Sequence, residues 1–235
     1  MKQFTYLLII FLTIIICFGA SFHHRIRFNK HFATFLLAAT IVAAPFIVWD
    51  VWFTKTGVWW FNESYTIGLA IAGLPLEEWL FFYCIPFACV FTFFCLEKFF
   101  DLSWASAFNN LIVFTGSIVC VLVILTSNSK VYTLVTAVAT LSTLFFLHFI
   151  ARREWIGAAT LVYLILLPGF FVVNGPLTGL WLNDPVVNYN NNEILGARFF
   201  TIPIEDAAYG FTLFLLNIYF FKLFQKTGLN KPALV

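Results

Sequence analysis

Charge is what this chain has least of. Thirteen Lys and Arg and eleven Asp and Glu make up 10% of 235 residues, against about 25% in a soluble domain. The net charge of +2 is small and by itself says nothing about nucleic acid; its distribution along the chain matters more, and no nucleic-acid partner is expected. Five cysteines are present, Cys17, Cys84, Cys89, Cys95 and Cys120. None forms a Cys-x-x-Cys pair and all lie in apolar runs, so only small packing residues are expected, not a redox dithiol or a zinc site. A Gly-x-Gly-x-x-Gly for a dinucleotide is missing, as are Gly/Ser linkers and heptad runs. His23, His24 and His31 crowd one basic turn. They read as a loop facing lipid headgroups rather than a metal site, and His148 stands apart from them.

The chain is filled instead by apolar residues: 62% hydrophobic, 20% aromatic with 32 Phe, and a mean hydropathy of +0.93. Runs long enough to cross a bilayer recur seven times, at about Phe4–Ser21, Phe32–Val51, Tyr65–Cys95, Phe108–Thr126, Val131–Ile150, Trp155–Val173 and Leu195–Phe221. The expected fold is an all-α integral membrane protein with seven transmembrane helices in one domain, 1–235. The third and seventh runs are too long for one perpendicular crossing and are expected to tilt, kink or unwind at their outer ends. Nine basic residues (Arg25, Arg27, Lys30, Lys98, Arg152, Arg153, Lys222, Lys226 and Lys231) fall on the side reached after the first span, and four (Lys2, Lys55, Lys130 and Arg198) on the other. The positive-inside rule then places the N-terminus outside and the C-terminus in the cytoplasm. A signal-peptide cut after Ala20 would need a small residue where Phe18 stands, so the first span is expected to be retained.

In this setting the scarce acids are concentrated. Pro75-Leu76-Glu77-Glu78 and Pro203-Ile204-Glu205-Asp206 each lie in a long apolar run. A carboxylate at membrane depth costs roughly 2.5–3.5 kcal/mol on insertion scales, so matched pairs of them imply a use. The proline before each pair interrupts helical hydrogen bonding and makes the backbone irregular there. The two motifs are 128 residues apart, and Tyr6–Arg27 resembles Tyr132–Arg153 at a spacing of 126. Thr56-Gly57-Val58-Trp59 is echoed by Thr178-Gly179-Leu180-Trp181. The pattern predicts parallel three-span repeats at about 4–100 and 131–224, joined by a helix at about 108–126, a 3+1+3 layout. A site in such a pseudo-symmetric protein is expected between the halves, with the acid pairs facing each other.

Adjacent carboxyls shielded from water retain a proton, which makes a general acid for an apolar substrate. Protonating a carbon–carbon double bond creates a carbocation, and aromatic faces stabilise cations without attacking them. The candidate catalytic residues are Glu77, Glu78, Glu205 and Asp206. Candidate substrate-binding residues are Trp79, Phe81 and Phe82 beside the first pair, Phe199, Phe200 and Tyr209 beside the second, and Asp50 and Asn174, which end spans two and six at matching positions. Glu77→Gln is expected to be the more damaging amide change in the first pair, because the second acid varies between Glu and Asp across the repeats. Arg198, seven residues before Glu205, would share its helical face about 10.5 Å along the axis. It would favour an ionised second pair, while the first pair, with Ala70 at the matching place, donates the proton. Asn188 to Asn192 reads as a solvated outer loop.

The Pro-Leu-Glu-Glu-x-x-Phe-Phe stretch from Pro75 to Phe82, its partner from Pro203 to Asp206 and the duplicated layout resemble the membrane-integral lycopene cyclases. The likeness is to the fused form of the two-subunit bacterial type, as in archaea and in the cyclase part of the fungal bifunctional enzyme, and it covers nearly the whole chain. It implies carotenoid biosynthesis by proton-initiated cyclisation of the linear ends of lycopene, by default to β-rings. The step is an intramolecular lyase or isomerase reaction with no cofactor, in a bacterial or archaeal cell membrane, with lycopene and membrane lipid as partners. No synthase domain is expected. One departure from the pattern is Ala207-Ala208-Tyr209-Gly210 after the second acid pair, in place of a pair of Phe residues. Two rival classes use buried acids. A proton-coupled small-solute transporter needs a hydrated polar path that spans rich in Phe, Leu and Ile do not supply. A Glu-Glu intramembrane protease needs an Arg shortly after Glu77-Glu78 and histidines placed near them in later spans, and the sequence has neither.

Overall fold

The structure, a computed structural model, describes residues 2–127 and 129–226; Lys231 lies outside them. Among the described residues seven helices are long and apolar enough to cross a membrane: α1 (Thr5–Ala20, preceded by a 3-10 turn at Lys2–Phe4), α2 (Phe32–Thr56), α3 (Leu76–Phe99), α4 (Asn109–Thr126), α5 (Val131–Phe145, continued by a π turn at Phe146–Ile150), α6 (Ile156–Leu177) and α7 (Ile204–Lys226). Each falls on one of the seven predicted runs.

The two long runs differ from a continuous helix at their outer ends. Before α3 the chain forms a tight hairpin of β2 (Ala70–Ile71) and β3 (Leu74–Pro75), with Ala72 and Gly73 at φ +55° and +87°. Left-handed values at both turn residues match the twist of a two-residue hairpin. Before α7 the chain repeats this with β5 (Arg198–Phe199) and β6 (Ile202–Pro203), turning at Phe200 with φ +53°. Pro75 and Pro203 close these hairpins, and each helix starts at the next residue, where a missing N–H costs nothing. Hydropathy reads apolar hairpin and apolar helix alike, which is why the runs looked overlong.

The acid-bearing helices α3 and α7 sit at the centre. α1 lies along α3, α2 packs on both α3 and α7, α5 lies along α7, and α4 covers α5. α6 crosses α3, α7 and α1 more lightly. At the outer end, β1 (Trp59–Phe61) pairs antiparallel with β4 (Val187–Tyr189), in the register Trp59 with Tyr189 and Phe61 with Val187. Asn188 and Tyr189 therefore belong to this ribbon rather than to a free loop.

Without a hydrophobic force between helices in lipid, close approach depends on small residues. Gly157 shows this at the start of α6: a Cβ there would lie 1.9 Å from the Ala105 carbonyl oxygen. Asn109 ties the same corner, donating to the Glu154 carbonyl at 2.8 Å and accepting from Gly157 N–H at 2.7 Å. Gly157→Ala is expected to destabilise the protein by about 1–3 kcal/mol or more, the cost of overpacking against backbone that cannot yield. Thermal unfolding in detergent measures it, and an unchanged melting temperature would refute the close packing.

Candidate active site

Pro75 and Pro203 start their helices, so the acid pairs occupy the first turns of α3 and α7. Neighbouring residues on an α-helix point about 100° apart, and the members of each pair accordingly go to different places. Glu77 turns back to the preceding loop and accepts from Ile67 N–H at 2.7 Å. Glu205 does the same, accepting from Leu195 N–H and from the Thr133 hydroxyl, both at 2.6 Å. Both residues are buried, and neither lines the chamber that their neighbours face.

Glu78 and Asp206 face inward onto one apolar chamber of about 700 Å³ between α1, α3, α6 and α7. One Glu78 oxygen accepts from the Tyr6 hydroxyl at 2.5 Å. Its other oxygen has no hydrogen bond among the described residues. Asp206 accepts on both oxygens, from Tyr132 at 2.7 Å and from Tyr189 at 2.9 Å. Tyr189 is outside the spans, and burial, with the Asp206 charge next, raises its phenol pKa well above the ordinary value of 10, so it stays a donor. Sequence reasoning used Tyr6 and Tyr132 only as markers of the repeat and passed over Tyr189. Their placement beside acids 72, 74 and 17 residues away is tertiary.

The chamber wall is aromatic and aliphatic. Strand side chains alternate, so Trp59, Phe61, Val187 and Tyr189 of the ribbon line its outer end, while Trp60 stays half exposed. Phe81 and Tyr209 line it from α3 and α7, and Asn174 from α6. The departure after Asp206 has a local reason. The Tyr163 hydroxyl donates to the Ala207 carbonyl at 2.7 Å, and a Cβ at residue 210 would come within 2.9 Å of that hydroxyl. Gly210 leaves room for Tyr163 against α7.

Other candidates lie elsewhere. Phe82 is buried beside Phe46, and Trp79 donates to the Ile71 carbonyl at 3.2 Å, so both brace the structure behind the first pair. Asp50 is behind the wall: it accepts from Trp59 Nε1 at 2.6 Å and its second oxygen has no partner among the described residues. Phe199 and Phe200 are exposed on the hairpin, Phe199 against Phe171. Arg198 shares no helical face with Glu205, because the chain there is extended. It donates to the Thr201 carbonyl at 2.7 Å and to Asn191 Oδ1 at 3.1 Å, with its guanidinium 5.7 Å from the Tyr189 ring centre. It thus meets the outer face of the ring whose hydroxyl holds Asp206.

These features define an integral membrane protein with an internal apolar chamber, where two carboxyls meet an aromatic wall. The sequence model of the lycopene cyclase family matches residues 3–96 and 129–224, and the chain belongs to that family. Membership places it among the enzymes of carotenoid biosynthesis that cyclise a carotenoid in a membrane. No curated protein and no solved structure matches it.

Proposed function

We propose that the chain cyclises lycopene by proton-initiated isomerisation without a redox cofactor, with Glu78 as general acid and Asp206 as its ionised counterpart. The observation that carries this reading is that one acid from each pair, and only one, opens onto the same aromatic-walled chamber. Glu78 keeps an oxygen clear of protein donors, from which a proton can reach the substrate. Asp206 receives hydroxyl hydrogens on both oxygens, the pattern of a carboxylate, which only accepts.

The proton adds to C2 of the terminal double bond and leaves a cation at C1. The C5–C6 π pair closes the ring by bonding to C1, and the charge moves to C5. Loss of the C6 proton to Asp206 forms the β-ring double bond. Atoms and electrons balance with no oxidant or reductant, as expected for an intramolecular lyase or isomerase. The proton then returns from Asp206 to Glu78 before the next end reacts. Trp59, Phe61, Phe81 and Tyr209 face the cation, each such contact worth about 2 kcal/mol when desolvated. Glu77 and Glu205 act as anchors that hold the outer loop on each helix start. Matching loop anchors, hairpins and tyrosine partners in the two halves support the 3+1+3 repeat. The excess of Lys and Arg beyond α1, α3, α5 and α7 supports an outer N-terminus and a cytoplasmic C-terminus, and the likeness to the bacterial and archaeal forms of the family supports a bacterial or archaeal cell membrane.

Expression in a lycopene-accumulating host tests the reading. Pigment chromatography is expected to show β-ring carotenes with no added cofactor. Unchanged lycopene alongside correctly inserted protein would end it.

A further inference from the structure

The chamber is closed towards water by the β1–β4 ribbon but not towards lipid. Leu12 on α1 and Val172 on α6 both line it, yet they are 57% and 63% exposed. Gly169, also lining it, is exposed too and stands three residues before Val172 on the same helical face. Both helices are spans, so hydrocarbon lies outside these residues. We infer that a lateral portal between α1 and α6 admits the carotenoid end-first from the bilayer, a proposal that rests on the chamber being the cyclisation site.

Three further observations fit a doorway here. Pro168 lies inside α6 immediately before Gly169 and removes a helical hydrogen bond at the opening, which lets the helix yield there. A Cβ at Gly169 would meet no atom within 4 Å, so the opening is space rather than packed wall. α1 is the least buried of the seven spans and touches α6 only lightly. The lining runs along α3 from Glu78 to Thr92, about 21 Å at the helical rise. An extended carotenoid is comparable in length to the hydrocarbon core, about 30 Å. One end therefore reaches the acids while the remainder passes out between α1 and α6.

Gly169→Trp and Leu12→Trp plug the two rims from positions that already face lipid, and Leu164→Trp, on the exposed side of α6 away from the chamber, is the control. In lycopene-loaded proteoliposomes the two plugs are expected to lower kcat/KM by on the order of tenfold or more, with kcat at saturation less affected, while the control matches wild type. Entry is read separately from chemistry as the lycopene absorption shift on a Glu78→Gln background, which is expected to develop more slowly with either plug. Wild-type kcat/KM and uptake in both plugged variants would overturn the portal. A wild-type protein that binds lycopene without converting it would count against the cyclisation reading instead.

Discussion

Glu78→Gln is expected to lower cyclisation by about 10²–10⁴-fold, the usual worth of a general acid, with the protein still inserted at normal levels. The amide keeps the side chain's size and can still accept from Tyr6, but it has no acidic proton to give. Glu77→Gln makes the comparison informative. Its amide oxygen can keep the bond from Ile67 N–H, and the replaced oxygen is one that has no partner among the described residues. Activity within about tenfold of wild type is expected there, since only a positioning contact changes. This is the reverse of the order expected from the Glu/Asp variation between the repeats. Pigment analysis in a lycopene-producing host, normalised to membrane protein, decides it. If Glu77→Gln abolished turnover while Glu78→Gln kept it, the role assignment would be wrong.

Asp206→Asn is expected to cost at least about 10²-fold, by removing the negative charge that faces the cation and the base that takes its proton. It also costs one of the two tyrosine bonds, because the amide oxygen still accepts from one hydroxyl while the amide nitrogen cannot accept from the other. Tyr132→Phe and Tyr189→Phe separate the two effects. Each leaves the carboxylate in place and deletes one donor, so each is expected to slow the reaction less than Asp206→Asn does. Products are as informative as rates here: a weakened base gives deprotonation at C4 or the C5 methyl a chance to compete. Wild-type rate and product in Asp206→Asn would show that the second acid has no chemical part.

The departures from the sequence reading have physical causes. Adjacent acids in a helix point about 100° apart, so a pair that looks like a unit in the sequence divides into an inward acid and an anchor. Which member turns inward depends on where α1, α6 and the ribbon lie, and no pattern along α3 reports that. Arg198 was placed on a helix because its run is continuously apolar, yet the chain there is a hairpin turning at Phe200. The duplicated layout suggested that both acid pairs face each other between the halves, but only Glu78 and Asp206 line the chamber. On the other face, α2 packs tightly on α7 and Trp49 and Phe46 sit edge-on to Tyr209.

The sequence by itself determined the bilayer setting, the seven spans, the acid pairs and the family, because each rests on composition, run length or short motifs that lie along the chain. The tertiary structure alone decided that Glu78 and Asp206 share a chamber, that Tyr6, Tyr132 and Tyr189 hold them, and that a ribbon from two distant loops covers them. These contacts join residues from different spans, and their geometry is set by how the helices pack rather than by the order of residues within any one of them.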